Sequence, residues 1–370
     1  MNPFEEFKVV CKKVADAKPL ILVQTRPIWI FGTGSFGRQL CNIFLQQGFQ
    51  VVGFIETEPK QKKILNLPVF AWPELAETDK QAQLVIGIFN RDSPLDDLYF
   101  LGRDAGFSDI FMPWHVYLQF EENLGWRYWL STPKVILDAL PEIESTLQLL
   151  EDEESRKCLL DILTFRLGQN NGYGSFTHED NQYFNELTLP SLRGKASSYI
   201  DCGAYNGDTY NEISDLVELS ESWLFEPDPK NYKLLVSRAK AIQKNVMCLP
   251  CAVSDGHKFL AFSAGGESGA ITEKGSLEIM TIALDDLLPT QHIGMIKLDV
   301  EGAEISALQG ARDLIKRSRP VIALSLYHRP KDPWEITTLI RSICPDYRFY
   351  IRQHYFNSFD SVLYAVPKNQ

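Results

Sequence analysis

A short apolar run that passes into a glycine-rich turn and then into a helical pattern occurs twice in this chain. Ile28–Phe31 leads into Gly32-Thr33-Gly34-Ser35-Phe36-Gly37, followed by Leu40, Ile43 and Phe44 at helical spacing. Tyr199–Asp201 leads into Cys202-Gly203-Ala204-Tyr205-Asn206-Gly207, with Asp208 and Thr209 as good helix caps. In each case a second apolar run ends in an acid, Glu56 or Glu226, nineteen residues beyond the last glycine of the turn. Strand, helix and strand in this rhythm imply a parallel sheet, so the chain is α/β and holds two such sheets.

The 370 residues are enough for two cores. Residues 1–114 read as a small Rossmann-like α/β domain of nucleotide-binding type, with Val51–Ile55, Leu67–Phe70 and Leu84–Phe89 as its further strands. Phe4, Phe7, Cys11 and Val14 predict a short amphipathic helix ahead of it. Residues 115–195 read as a helical connector: Leu147–Leu167 carries apolar residues at helical spacing opposite a charged face, and Asn170–Ser175 is loop. Residues 196–370 form the third stretch. Its strands are Tyr199–Asp201, Trp223–Glu226, Val246–Val253, Phe259–Ser263, Ile279–Ile282, Met295–Asp299, Val321–Leu326, Tyr347–Arg352 and Val362–Val366, with a Gly265–Gly269 segment among them. The last two are joined by too few residues for a helix, so they pair as an antiparallel hairpin.

Composition removes several function classes. The net charge is -11, from 37 basic and 48 acidic residues, with no basic stripe, which argues against a nucleic-acid partner or an anionic membrane surface. No apolar run approaches a membrane span, and the N-terminus, with its early acids, does not read as a signal peptide. The seven cysteines suit reduced thiols and a cytoplasmic location. Cys248 and Cys251 are close, but no second pair or histidine stands at zinc-ligand spacing, so no metal is assigned.

Five features at strand ends carry the chemistry. The turn from Asp201 through Gly203, Ala204 and Gly207 to Asp208 and Thr209 lets a ligand approach bare backbone, with Asp201 placed to anchor an amino group. Glu226 stands where a carboxylate accepts hydrogen bonds from ribose hydroxyls. Ser254 and Asp255 end the third strand, beside the expected position of a purine, and the same residues also suit a plain β-turn. Lys297, Asp299 and Glu301 alternate with apolar residues, so the three charges share one direction at the crevice edge. His328 closes the next strand as a candidate general base.

Taken together, YIDCGAYNGDT (199–209), LFEPDPKNY (224–232), CAVSD (251–255), TIALDDLL (281–288), IKLDVEGAEISALQGA (296–311), LYHRPKDPWEI (326–336) and YRFYIRQHY (347–355) resemble the FkbM family of methyltransferases. LEDEESR (150–156) and QYF (182–184) look like the helical lead-in of some members. The resemblance, over roughly residues 145 to 366, implies a class I methyltransferase sheet closed by the antiparallel C-terminal hairpin. It implies S-adenosylmethionine as cofactor, with Asp201, Gly203, Gly207 and Glu226 among its contacts. It also implies O-methylation of a sugar, glycan or related small-molecule acceptor, and places Asp299 near the reacting methyl. Many relatives carry a glutamate on the strand before the histidine; here that stretch reads ALSLYH, with Ser325 instead.

A sulfonium donor is already reactive, so such an enzyme mainly aligns acceptor oxygen, methyl carbon and sulfur, with a base to take the hydroxyl proton. Asp299 and His328, with Glu301 beside them, are the catalytic candidates. The rival reading is an NAD-dependent or nucleotide-sugar-binding protein centred on Gly32, Gly34, Gly37 and Glu56, whose strand–turn–helix context fits a dinucleotide fingerprint. A homo-oligomer is compatible with either reading.

Overall fold

Each glycine turn follows a strand of a separate sheet. The computed structural model describes residues 2–169, 180–193, 197–242, 245–263, 270–271, 275 and 277–368; Asn170–Ser175 and Gly265–Gly269 lie outside these. Two compact units result. One consists of Met1–Leu140, Lys157–Thr177 and Tyr355–Phe359, the other of Pro141–Arg156, His178–His354 and Asp360–Gln370.

In the first unit, β1 (Ile28–Phe31), β2 (Val51–Glu56), β3 (Lys63–Ile64), β4 (Leu67–Ala71), β5 (Gln83–Ile86) and β6 (Ile110–Phe111) form one sheet in the order β3-β4-β2-β1-β5-β6. All neighbours are parallel except β3 with β4. β1 is buried along its whole length, as an uninterrupted Ile-Trp-Ile-Phe run requires in a sheet covered on both faces. The N-terminal helix Pro3–Asp16 buries Phe4, Phe7 and Cys11 and is capped by the Asn2 side chain.

The second unit carries β7 (Ser197–Cys202), β8 (Leu219–Phe225), β9 (Val246–Leu249), β10 (Ala252–Val253), β11 (Lys258–Ser263), β12 (Ala270–Ile271), β13 (Leu277–Ile282), β14 (Met295–Leu298), β15 (Val321–Ser325), β16 (Tyr347–Gln353) and β17 (Ser361–Pro367). Its main sheet has the order β16-β17-β15-β14-β7-β8-β9. The strands are parallel except β17, which is antiparallel to both neighbours, so the expected C-terminal hairpin is present. The chain runs outward from β7 to β9 and then crosses back to β14 on the other side of β7. The order therefore reverses between β7 and β14, and ligands of open α/β sheets bind at such a point, outside the strands' C-terminal ends. Tyr199, Leu224, Met295, Val321, Ala323 and Tyr364 belong to the apolar cluster beneath that edge. Fully burying side chains of this size contributes about 1.5–3 kcal/mol each.

Two expectations need correction. Val246–Val253 is not one strand: β9 stops before Pro250, which has no N–H for the ladder. β10 then pairs with β13 in a separate four-stranded sheet of order β10-β13-β11-β12. Nor is Leu147–Leu167 one helix. Helices Leu140–Leu149 and Glu153–Arg166 are separated where Leu150 bridges to Phe349 and Asp152 accepts the Ser155 amide at 2.7 Å.

Candidate active site

The turn after β7 is set by two glycines with different duties. Gly203 has φ +83°, and a Cβ there would stand 1.9 Å from the Asp299 carbonyl oxygen, so only glycine lets the turn touch the end of β14. Gly207, at φ +82°, precedes the helix Asp208–Leu216 and packs against Leu235. The amides of Gly203 and Ala204 both donate to the Phe225 carbonyl, at 3.0 and 2.9 Å, which ties the turn to β8. Asp208 is exposed on the first turn of the helix, and its carboxylate accepts the Thr209 amide.

Asp201 is fully buried. Lys297 Nζ lies 3.0 Å from one carboxylate oxygen, and Tyr199 and Thr209 donate to the other. Lys297 Nζ also donates to the Gly203 carbonyl at 2.6 Å. The amino-group anchor that Asp201's strand-end position suggested is thus already supplied by a lysine from within the protein. Asp201 and Lys297 form an internal ion pair that holds the turn. Lys297, expected to share a direction with Asp299 and Glu301, is committed to Asp201 and the Gly203 carbonyl while remaining close enough to act on Asp299.

Glu226 follows β8 as expected and is buried. Its two oxygens accept the amides of Tyr205, at 2.9 Å, and Asp228, at 2.8 Å. A carboxylate has about four lone-pair sites, so about two remain for hydroxyl donors. Burial pushes its pKa up to about 7. Ser254 and Asp255 lie at the end of β10, not of the main sheet's third strand. Ser254 is buried and its amide bonds Ile282; Asp255 is exposed and paired with Lys258 at 2.9 Å.

The catalytic candidates do converge. Asp299 follows β14 directly, and its side chain keeps 26% exposure. Ser325 donates to its Oδ1 at 2.8 Å and Tyr183 to its Oδ2 at 3.1 Å, while His328 Nε2 stands 3.5 Å away. Glu301, in a left-handed turn at φ +53°, brings Oε2 to 3.6 Å from the same nitrogen. His328 is completely buried, with Nδ1 2.7 Å from Glu304 Oε1. Burial opposes a charge on this ring, but Glu304 and Glu301 outweigh it and lift its pKa to about 10. An imidazolium has no lone pair to receive a proton, so the neighbouring carboxylates work against His328 as the base. Burial raises Glu301 to about 8. Asp299 goes the other way: burial would raise it, yet His328 and Lys297 hold it below the usual carboxylate range. Glu304 pairs with His328 and Asp201 with Lys297, and Asp299 stands beside them as a partly exposed carboxylate. Asp299, Glu304 and His328 each bring a possible ligand atom within 4.8 Å of the others. The short Nδ1–Oε1 bond engages two of the three with each other.

Residues 201–357 match the family model described as the methyltransferase FkbM domain. This stretch is an FkbM methyltransferase domain. Among solved structures the chain is similar to the methyltransferase FkbM from Methylobacillus flagellatus KT, at 21% identity and a TM-score of 0.75, over 98% of this chain and 99% of that one, which shows a shared fold. Weaker likenesses are to the fibrillarin of Aeropyrum pernix (11% identity, 50% of this chain, 70% of that, TM-score 0.32) and the precorrin-6y C5,15-methyltransferase of Geobacter metallireducens GS-15 (14%, 52%, 97%, TM-score 0.30). No curated protein matches the chain.

Tyr183 and Glu304 were not singled out as site residues in the sequence. Glu304 had a local reading, as an acid in the first turn of a helix. Tyr183 touches Asp299 across 116 positions, and no spacing rule reaches that far.

In the first unit, Gly32 at φ +107° packs against Ile88, and a Cβ on Gly37 would lie 2.1 Å from the Gly32 carbonyl oxygen. Gly34 differs: its φ is -66°, and nothing lies within 4 Å of a Cβ built on it. Glu56, at the end of β2, accepts the Thr33 hydroxyl. Among the described residues no helix is long and apolar enough to cross a membrane.

Proposed function

We propose that the FkbM domain is an S-adenosylmethionine-dependent O-methyltransferase whose acceptor is a hydroxyl of a sugar, glycan or related small molecule. The observation that carries the reading is the outward-facing, ionised Asp299 pressed against the glycine turn at the switch point of the sheet. An ionised carboxylate at that place suits a sulfonium. The donor contacts in this reading are the backbone of Gly203, Ala204 and Gly207, the first helical turn at Asp208 and Thr209, and Glu226 for the ribose, with Ser254 and Asp255 toward the adenine. As the acceptor oxygen attacks the methyl carbon, the C–S bond breaks and the hydroxyl proton passes to Asp299, leaving S-adenosylhomocysteine and the methyl ether. A carboxylate of low pKa suffices, because the oxygen becomes strongly acidic as its new bond to carbon forms. His328, paired with Glu304, and Lys297 keep Asp299 ionised, and the Ser325 and Tyr183 hydroxyls hold it in place.

The test is thermal stability in saturating S-adenosylmethionine or S-adenosylhomocysteine, which should rise by mass action. Glu226→Ala should weaken binding by about ten- to a hundredfold, the range for hydrogen bonds to a charged group. No stabilisation in the wild type sinks the proposal. A screen of glycans and sugar nucleotides with labelled donor then addresses the acceptor. A second reading is favoured by one observation: Gly34 is required neither by its backbone angles nor by packing. A glycine so placed, at the start of the helix Ser35–Gln46, leaves room for a phosphate to approach the backbone. Titrating NAD beside the methyl donor separates an accessory nucleotide site in the first unit from a purely structural one.

A further inference from the structure

Tyr183 lies upstream of the matched domain, yet its hydroxyl reaches the domain's central carboxylate. Its ring is buried, with the Lys297 ammonium 5.4 Å from the ring centre. One side chain therefore meets both the lysine that secures the glycine turn and the aspartate that faces outward. The hydroxyl's direction is also fixed. Gln182 Nε2 donates to the Tyr183 oxygen at 3.0 Å, which leaves the Tyr183 proton for Asp299 Oδ2 at 3.1 Å. The backbone here is held on several sides: Asn181 Oδ1 accepts the amides of Tyr183 and Phe184 at 3.0 and 2.9 Å, Thr188 donates to the Tyr183 carbonyl at 2.9 Å, and Tyr364 donates to the Gln182 carbonyl. So many bonds for a short non-repetitive segment exceed what burying one aromatic ring needs.

We infer that Tyr183 is a positioning residue for methyl transfer: its hydroxyl, with that of Ser325, fixes the plane of the Asp299 carboxylate toward the methyl group, and the segment around it is an integral part of the active site. The inference rests on the methyltransferase reading above. With Oδ1 accepting from Ser325 and, at 3.4 Å, from Tyr327, and Oδ2 from Tyr183, rotation of the carboxylate would break these bonds. Removal of the Tyr183 hydroxyl frees that rotation without emptying the ring's pocket. Charged or titratable groups around Asp299 include Lys297, Glu301, Tyr327 and His328, with Asp360 acting on Tyr183, Glu301 and Tyr327.

The experiment uses two probes on the full chain, S-adenosylhomocysteine and sinefungin, the latter carrying a charged amine where the donor has its methyl. Calorimetric titration of the wild type should show sinefungin bound about tenfold or more tightly than S-adenosylhomocysteine, the scale of one charge-assisted hydrogen bond. Asp299→Asn should abolish that preference. Tyr183→Phe should cut it about fivefold or more while S-adenosylhomocysteine affinity stays within about twofold. The double variant should lose no more than Asp299→Asn alone, because the two side chains act as one unit. A preference unchanged by Tyr183→Phe, or equal losses for both probes, overturns the inference. A wild type that binds neither probe overturns the donor reading, and a wild type that binds both equally overturns the placement of Asp299; this inference falls with either. Should Tyr183→Phe fold poorly, replacing Tyr183 by a ring-fluorinated tyrosine keeps ring and hydroxyl and alters only its acidity. A shifted probe ratio is then the expected result, and an unshifted one overturns the proposal.

Discussion

The same added methyl group should have opposite consequences at the two glycine turns. At Gly203 it meets the Asp299 carbonyl at 1.9 Å on a backbone already in the left-handed region. Gly203→Ala should cost about 2 kcal/mol or more in urea unfolding, from strain and overpacking together. At Gly34 the angles are ordinary and the space is open, so Gly34→Ala should stay within about 1 kcal/mol of the wild type. A Gly34→Ala protein that unfolds as early as Gly203→Ala would mean that the first turn is packed differently from its description here. Chemistry at this scale is equally local. Asp299→Asn keeps the shape of the side chain but loses the proton acceptor, so turnover on a good acceptor should fall by about 10²- to 10⁴-fold. Donor affinity should be largely kept, and an equal fall in both would mark Asp299 as a cofactor ligand.

At the scale of elements, the β16–β17 hairpin is joined to the lead-in before the domain. Arg352 on β16 is buried and meets Asp152 at 2.8 Å, Glu154 at 3.0 Å and Ser155 at 2.8 Å. Backbone bonds run beside these, from the Glu151 amide to the Phe349 carbonyl and from the Ile351 amide to Ser155. Arg352→Met should leave the carboxylates without their partner and speed hydrogen exchange at the Glu151 and Ile351 amides by about tenfold or more, the equivalent of about 1.4 kcal/mol. Unchanged exchange there would show that the bonded backbone alone holds the lead-in. Elements of this unit were legible where their signals are local. β7, β8, β14, β15, β16 and β17 are apolar runs bounded by turn residues, and each was read within two residues of its ends except β8, which begins four residues earlier. Where a decision is made by distant partners, the sequence is silent. Pro250 marks where β9 has to stop, but nothing near Ala252 says that it will pair with Thr281, and β3 and β6, two residues each, are too short for any periodicity. The same holds for the site. Glycines and strand-end acids announce themselves, whereas the enclosure of Asp201 and His328 depends on side chains brought in from other strands.

For the molecule as a whole, three buried groups bias stability toward mildly acidic pH. Glu226 and Glu301 are raised from 4.5 to about 7 and about 8, so the folded form holds protons that the unfolded chain has released. Stability then falls as pH rises from about 4.5 through those values. His328, raised from 6.5 to about 10, adds stability that is fully present below 6.5 and is lost as pH climbs toward 10. All three contributions have the same sign. The melting temperature should therefore be higher at pH 6 than at pH 9, and Glu226→Gln should flatten the part of the profile between about 4.5 and 7. A melting temperature that rises steadily across this range would contradict the assigned burial of these carboxyls.

The interleaving of the two units has a further consequence, in time. The first unit begins at residue 1, but Asn357 caps its helix Leu95–Asp104 by accepting the Leu95 amide at 2.9 Å, and donates to the carbonyls of Asn90 and Ser93. Ser358 accepts from Arg166 at 2.8 Å in the same unit. A ribosome makes these residues after almost all of the methyltransferase domain. Domains commonly fold in the order of synthesis, but here the N-terminal unit waits, missing its last clasp, until nearly the whole methyltransferase domain has been translated. Its completion thus waits on residues 355–359, and a chain released before residue 355 leaves both units unfinished.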